Sequence, residues 1–237
     1  MNALYRINAR IDGEMAQQVI FEVAAAPPFM KNGYVLGCPR TKEGVIIDPG
    51  DEAPALMEAA HRHGLAMTSI LLTHAHLDHV TGVAAAKRAF GAPVYLHKDD
   101  QFLYDAAVQQ GLMFGLRVDQ PPPVDRHYEP GAELFFGDLV VEVHHTPGHC
   151  PGGVCLAVRS SNPDIVMPSG QTRELFVGDT LFAGSIGRTD LPGGNFETLI
   201  RSIRDVLFAF PDPTPVHSGH GPSTTIGREK ATNPFLQ

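Results

Sequence analysis

The chain contains SILLTHAHLDH at residues 69–79, an apolar run that passes directly into three histidines and an aspartate. His74, His76 and Asp78 alternate here, so an extended backbone would turn their side chains to one side. His79 would then begin a helix and approach the same point from a second direction. Burying such a cluster is costly unless its lone pairs find a partner, and a divalent cation is a natural one. The stretch therefore predicts a metal site at the end of a buried strand, rather than solvated histidines on a surface loop.

The composition is typical of an ordinary soluble globular protein. With 237 residues, 43% hydrophobic and 19% charged, the chain can bury a substantial core, and we expect one domain over residues 1–237. The net charge of −8 argues against a nucleic-acid-binding groove. Residues 1–6 lack the apolar stretch of a signal peptide, and no run reaches transmembrane length, so no membrane partner is expected. Three cysteines, an odd number, fit a reducing cytoplasm, which is the location we expect.

Strands and helices alternate along the chain, which indicates an α/β fold. Strands are predicted at 19–24, 34–37, 44–48, 68–73 and 93–97, with helices at 51–63 (Asp51 as N-cap), 79–90 and 99–110. After a long loop at 111–130, strands are predicted at 133–136, 139–144, 153–158 and 174–177, then a helix capped by Asn195 and a strand at 215–217. Each candidate metal ligand then follows a strand.

Three further segments supply candidate ligands. His149 lies in HTPGHCPGG at 145–153, where prolines and glycines define a turn, and Asp179 ends the apolar strand LFVGD at 175–179. His220 lies between two glycines. Together with the first motif, these segments give five histidines and two aspartates, enough for two cations that each keep an open position.

The order of these motifs resembles that of the metallo-β-lactamase superfamily. Within it, the chain is similar to glyoxalase II-type hydrolases, especially their short single-domain bacterial members. The resemblance runs nearly end to end and includes the segments 48–50, 113–116, 187–190, 219–222 and 233–236. It implies a four-layer αββα sandwich, in which two mixed β-sheets pack face to face between helices and the site lies along one edge.

The resemblance also implies a binuclear metal centre. The first ion would be bound by His74, His76 and His149, the second by Asp78, His79 and His220, and both by Asp179. Zinc is expected, although iron and manganese also suit imidazole and carboxylate ligands. Two cations lower the pKa of a shared water from about 16 towards 7, which provides a nucleophile without serine or cysteine. Asp78 would both bind the second ion and orient this water.

The implied reaction is hydrolysis of an acyl thioester, such as S-lactoylglutathione, to a hydroxy acid and a free thiol. Arg188 resembles the position at which glyoxalase II enzymes place a cation against the glutathione part of the substrate; an ion pair with Asp190 is the alternative. Longer members of the family have a C-terminal helical domain that binds glutathione, whereas this chain ends 17 residues after His220. The identity of the thiol carrier is therefore left open.

Two other activities on the same scaffold stay open. A persulfide dioxygenase, which also carries a Gly-Arg-Thr-Asp segment, would bind one iron at the positions of His74, His149 and Asp179. A lactonase or other ester hydrolase is the third alternative. Asp48 and His145 are expected to contact the ligands rather than the metal, with Asp48 accepting a hydrogen bond from a ligand histidine or a loop amide.

Overall fold

Two six-stranded β-sheets form the centre of the molecule. The computed structural model describes residues 10–11, 14–129 and 131–237. The first sheet has the spatial order β1 (Ile20–Ala26), β2 (Lys31–Gly37), β3 (Glu43–Ile47), β4 (Ala66–Leu71), β5 (Val94–Leu96) and β6 (Arg126–His127). The second has the order β7 (Glu133–Phe136), β8 (Leu139–His145), β9 (Val154–Ser160), β10 (Arg173–Gly178), β11 (Pro215–Ser218) and β12 (Thr224–Thr225). Short pairs join Arg10–Ile11 to Glu14–Met15, Gln17–Gln18 to Ile165–Val166, and Leu181–Phe182 to Ser185–Ile186.

Both sheets are mixed. In the first, β1, β2 and β3 are antiparallel, whereas β3 to β6 run parallel. In the second, all pairs are antiparallel except β10 and β11. Parallel neighbours need crossover connections, and helices supply most of them. The helices are α1 (Ala53–Arg62), α2 (Leu77–Val80), α3 (Val83–Phe90), α4 (Gln101–Asp105), α5 (Ala107–Met113), α6 (Phe196–Asp205) and α7 (Ile226–Thr232), with 3₁₀ turns at Lys98–Asp100 and Leu207–Ala209.

The alternation of side chains along the strands produces four layers. In β2, Val35 packs under α1 and α3, while Leu36 faces the second sheet. In β9, Leu156 faces the first sheet, and Ala157 faces α6 and α7. The predicted four-layer αββα sandwich is therefore confirmed. Within the described parts of the chain, no helix is long and apolar enough to cross a membrane.

The helix predicted at 79–90 is two helices. The chain turns at Thr81 and Gly82 between α2 and α3, where the backbone N–H of Gly82 donates to the carbonyl oxygen of Pro49 at 3.0 Å. A side chain at Gly82 would overlap the carbonyl oxygen of Gly50, so glycine allows this close approach. Since α2 begins at Leu77, Asp78 is helical, and the predicted alternation of its side chain with His74 and His76 is wrong. The helical turn instead directs Asp78 away from these two histidines.

Three other predicted boundaries differ from the structure. Asp51 is not the N-cap of α1, because that position is taken by Glu52. The helix predicted at 99–110 is a 3₁₀ turn followed by α4 and α5. The loop predicted at 111–130 contains β6, and its last residue lies outside the described residues, as does the segment 1–6 in which no signal peptide is predicted.

Candidate metal centre

Parallel strands bring the predicted ligands to one edge of the molecule. His74 and His76 follow β4, and Asp78 and His79 lie in α2. The other three ligands come from the second sheet: His149 after β8, Asp179 after β10 and His220 after β11. Because β3, β4 and β5 are parallel, and β10 and β11 are parallel, their carboxyl ends meet at this edge.

The seven side chains form two triads and a shared carboxylate. One triad is His74, His76 and His149, and the other is Asp78, His79 and His220; within each, the candidate ligand atoms lie within 4.8 Å of one another. His76 Nδ1 is 2.7 Å from His149 Nε2, and Asp78 Oδ2 is 3.0 Å from His220 Nε2. The two triads contain the residues that the resemblance assigns to the first and to the second ion.

Asp179 lies between the two triads. Its Oδ2 is 3.7 Å from His149 Nε2 in the first triad and 3.6 Å from His220 Nε2 in the second. Its Oδ1 is 3.4 Å from His79 Nε2. A carboxylate in this place can bind ions at both triads.

The donor atoms at this edge fit divalent metal ions. His74 Nε2, His79 Nε2 and Asp179 Oδ1 are buried and have no hydrogen-bond partner within the described part of the chain. Buried polar atoms without a partner are rare and costly, and cations at the two triads would satisfy all three. Imidazole nitrogens and carboxylate oxygens suit zinc, iron and manganese.

Burial and charge set the protonation of the ligands. Burial lowers the pKa of His74 well below its ordinary value and that of His76 to about 3, which favours the neutral, metal-binding imidazole. Burial also disfavours protonated His79, but the carboxylates of Asp78, Asp179 and Asp48 outweigh it and raise the pKa of His79 to about 10. The same three carboxylates provide the negative potential that stabilises a bound cation.

Asp48 holds His79 in position. It follows β3 and is almost fully buried. Its Oδ1 accepts a hydrogen bond from the backbone N–H of Thr73 at 2.6 Å, and its Oδ2 accepts bonds from Thr73 Oγ1 at 2.5 Å and His79 Nδ1 at 3.0 Å. Because His79 Nδ1 donates to Asp48, the proton that a cation would displace from the ring is the one on Nε2, and the lone pair of Nε2 then faces the site. The structure thus places Asp48 against both a ligand histidine and a loop amide, as expected.

Asp100 was not among the predicted site residues, yet it is hydrogen-bonded to two segments that carry members of the first triad. This buried carboxylate accepts hydrogen bonds from the backbone N–H groups of Ala75 at 3.1 Å and Gly152 at 2.6 Å, and from Cys150 Sγ at 3.1 Å. It therefore joins the segment of His76 to the turn that carries His149. The sequence gives no signal for this role, because Lys98-Asp99-Asp100 has the composition of a solvated helix start.

Arg188 contacts a ligand through its backbone. Its carbonyl oxygen accepts a hydrogen bond from His149 Nδ1 at 2.7 Å, which leaves Nε2 of that histidine for the site. Its guanidinium group is exposed and forms an ion pair with Asp190 at 2.7 Å. His145 does not touch a ligand: its Nε2 donates to the carbonyl oxygen of Pro151 at 2.8 Å, and its ring stacks on His97 with centroids 4.2 Å apart.

Glycine permits close packing beside the ligands. A side chain at Gly219 would overlap Asp179 Oδ1 and lie 2.7 Å from His79 Cε1. A side chain at Gly187 would overlap the carbonyl oxygen of Asp179. Small residues at both positions therefore allow the ligand segments of the second sheet to converge.

Comparison with known proteins decides the family. The family model described as the metallo-beta-lactamase superfamily matches residues 26–162. The chain belongs to the metallo-β-lactamase superfamily. It is 39% identical over 198 residues to a protein of Haemophilus influenzae named hydroxyacylglutathione hydrolase GloC, which covers 82% of this chain and 88% of that protein.

Solved structures of the superfamily support the same conclusion. The crystal structure of BLEG-1 B3 metallo-beta-lactamase superposes with a TM-score of 0.79 at 39% identity, over 92% of this chain and all of that chain. The structure of TTHA1623 in a di-iron-bound form gives a TM-score of 0.76 at 41% identity, over 91% of this chain and all of that chain. The superfamily and the fold expected from the sequence motifs are confirmed.

Proposed function

We propose that this protein is a metal-dependent hydrolase that cleaves acyl thioesters, such as S-lactoylglutathione, to a hydroxy acid and a free thiol. The observation that carries the proposal is the pair of triads joined by Asp179 at one edge of the two sheets. Similarity to a protein named hydroxyacylglutathione hydrolase supports a glutathione thioester as the substrate.

The proposed cofactor is a pair of divalent cations. His74, His76 and His149 would hold one, Asp78, His79 and His220 the other, and Asp179 both. Bound there, the cations would lower the pKa of water towards 7 and polarise the carbonyl of the thioester. We expect zinc, and the di-iron form of TTHA1623 makes iron the next metal to test.

Water, rather than a protein side chain, is the proposed nucleophile. Cys150 lies beside His149, but burial and the adjacent Asp100 raise the pKa of its thiol well above the ordinary value, and the thiol donates to that carboxylate. Burial opposes the ionisation of Asp78, but His79 and His220 outweigh it and keep the pKa of Asp78 below its ordinary value. An ionised Asp78 can accept a hydrogen bond from the attacking water and orient it.

Arg188 is the proposed contact for the anionic part of the substrate. Its carbonyl is bonded to His149, so the residue lies next to the first triad. A protein of net charge −8 needs a local positive group to bind an anion. The guanidinium is exposed, and its ion pair with Asp190 contributes little because water screens it, so a substrate carboxylate can compete for it.

One experiment separates the three candidate activities. The protein is purified without added metal, its ions are counted by mass spectrometry, and a panel of thioesters is assayed. Two ions with thioester turnover support the proposal. One iron with oxygen uptake on glutathione persulfide indicates the dioxygenase, and turnover of lactones or esters alone indicates the third alternative. A cytoplasmic location completes the proposal, in keeping with three free, buried thiols in the described part of the chain.

A further inference from the structure

Lys31 is a buried lysine at the start of β2. Its side chain is 1% exposed, and its Nζ lies 2.5 Å from Glu52 Oε1, which is equally buried. The ammonium also donates to the carbonyl oxygen of Asp48. Buried ion pairs contribute little net stability, because desolvation offsets their attraction. The proposed reaction uses neither side chain directly. The role of the pair is therefore inferred from the groups to which it is hydrogen-bonded.

The pair holds the turn that carries Asp48. Lys31 binds the Asp48 carbonyl, and Glu52 Oε1 accepts a hydrogen bond from the backbone N–H of Gly50 at 2.9 Å. Asp48 has a φ of +48°, a left-handed conformation that is unfavourable for a residue with a side chain and persists only when its surroundings impose it. The two buried charges supply that support. The carboxylate of Asp48 is thereby directed at His79.

The same end of β2 holds the segment of His220. Lys31 forms an isolated β-bridge with His220. The backbone N–H of Asn32 donates to the carbonyl oxygen of Gly219 at 2.6 Å, and its side-chain amide donates to the carbonyl oxygens of Ser218 at 3.1 Å and Gly221 at 2.8 Å. The first two residues of β2 therefore contact the turn that positions His79 and the segment that carries His220. The first triad has different supports, in Asp100 and the Arg188 carbonyl.

The Lys31 side chain also lies close to Asp78. A side chain added at Gly50 would overlap the carbonyl oxygen of Asp78 and lie 2.8 Å from Lys31 Cε. The lysine stem and the backbone of Asp78 therefore border the same glycine. An uncompensated ammonium here would repel a cation at the second triad, and Glu52 neutralises it.

We propose that Lys31 and Glu52 are positioning residues for cation binding at the second triad of Asp78, His79 and His220. They hold the Asp48 turn, which fixes the tautomer and orientation of His79, and the ion pair keeps their own charges from disturbing the site. The inference rests on the proposed function only in taking this triad as a cation site. It predicts that the pair affects the second ion more than the first, which the Asp48 turn reaches only through Thr73, whose Oγ1 lies 3.2 Å from His74 Nδ1.

The test measures zinc binding in Lys31→Met, Lys31→Arg and Glu52→Gln by titration against a competing chelator. Loss of a residue that supports a metal ligand weakens metal binding about 10- to 100-fold. We therefore expect Lys31→Met and Glu52→Gln to bind the second ion at least about tenfold more weakly, with a clearly smaller change at the first ion. Lys31→Arg keeps the charge and a donor, so it should recover part of the affinity.

Glu174→Gln is the matched control. Glu174 is a buried carboxylate in the second sheet that pairs with His217 at 2.7 Å and contacts no predicted ligand. In the metal-free protein, this variant should lower the melting temperature about as much as Lys31→Met and Glu52→Gln do. It should nevertheless bind both ions as the wild type does. If Lys31 had only a structural role, Lys31→Met would also lose stability and bind both ions as the wild type does.

The outcomes distinguish this inference from the function on which it rests. A wild-type protein that binds a single ion contradicts the binuclear proposal. A wild type with two ions, together with unchanged second-ion affinity in Lys31→Met, overturns the positioning role, as does an equal loss at both sites. If Lys31→Met does not fold, Glu52→Gln decides, because it keeps the shape of the side chain and one acceptor oxygen.

Discussion

Replacing Asp48 with asparagine tests how His79 is held for metal binding. Asparagine has the same shape and is among the residues that tolerate a φ of +48°, so the turn can be retained. The amide oxygen can still accept the hydrogen bond from the Thr73 backbone N–H, which is 2.6 Å from Oδ1 in the wild type. The amide nitrogen then occupies the position of Oδ2, 3.0 Å from His79 Nδ1.

The substitution reverses the hydrogen bond to His79. An amide N–H donates, so His79 Nδ1 must accept, and the proton of the neutral ring moves to Nε2, the atom that faces Asp179. A nitrogen that carries a proton cannot bind a cation. We expect zinc affinity at the second triad to fall about 10- to 100-fold, or about 1.4–2.8 kcal/mol. The first triad should change less, because only one of its imidazoles is linked to Asp48, and that link is indirect: Thr73 Oγ1, which donates to Asp48, lies 3.2 Å from His74 Nδ1.

A zinc titration against a chelating indicator measures both affinities, and melting of the metal-free protein reports folding. Asp138→Asn is the control, since it removes an ion pair with the exposed Arg40 far from any predicted ligand in the chain. A second-site affinity within about twofold of the wild type would refute this account of Asp48, because losing an outer partner costs about tenfold or more. A uniform loss at both triads would also refute it.

Four other changes probe the centre. Asp100→Asn leaves an amide nitrogen facing a backbone N–H or the Cys150 thiol, so zinc affinity should fall at the first triad and not at the second, as measured by the same titration. Gly219→Ala presses a methyl group against Asp179 and His79, so the folded variant should contain fewer ions by mass spectrometry. Arg188→Ala removes an exposed, solvent-screened ion pair, so the melting temperature should hardly change. The KM for a glutathione thioester should rise about tenfold through the lost charged hydrogen bond. Chelation of the metal should abolish hydrolysis and lower the melting temperature, because the buried ligand atoms lose their partner.

Each of these four has an outcome that contradicts it. Equal weakening of both triads in Asp100→Asn would indicate general destabilisation. Gly227→Ala is the control for general overlap, because it places a methyl group 2.8 Å from Asp212 Cβ, and a similar metal loss there would remove the site-specific argument for Gly219. An unchanged KM would exclude Arg188 from substrate binding. Thioester turnover that survives complete chelation would contradict a metal-dependent reaction.

The candidate ligands could be recognised in the sequence because their chemistry is concentrated in short segments. The stretch at 69–79 combines a buried strand with four ligand-type side chains, so both the element and its role are local properties. The cap of α6 is local as well: Asn195 accepts a hydrogen bond from the N–H of Thr198 at 2.9 Å, as its position before an amphipathic run predicts.

The supports of the ligands depend on contacts between distant segments. Lys31 meets Glu52, and Asp100 meets Gly152, across separations of 21 and 52 residues. The break in the predicted helix at Gly82 likewise arises from its approach to Gly50. In a single sequence these residues look like ordinary charges or a tolerated glycine. Only the packing of the chain gives them a role.

Each triad draws its ligands from both sheets, which couples metal binding to the packing of the sheets. His74 and His76 from the first half meet His149 from the second, and Asp78 and His79 meet His220. A cation that binds only this arrangement stabilises the folded state, by about 2.7 kcal/mol at a free concentration of 100 times the dissociation constant. Since neither half holds a complete triad, this stabilisation must act on the interface between the sheets. Hydrogen exchange in β3 and β10, which face each other's sheet and end at the site, should therefore slow on adding zinc.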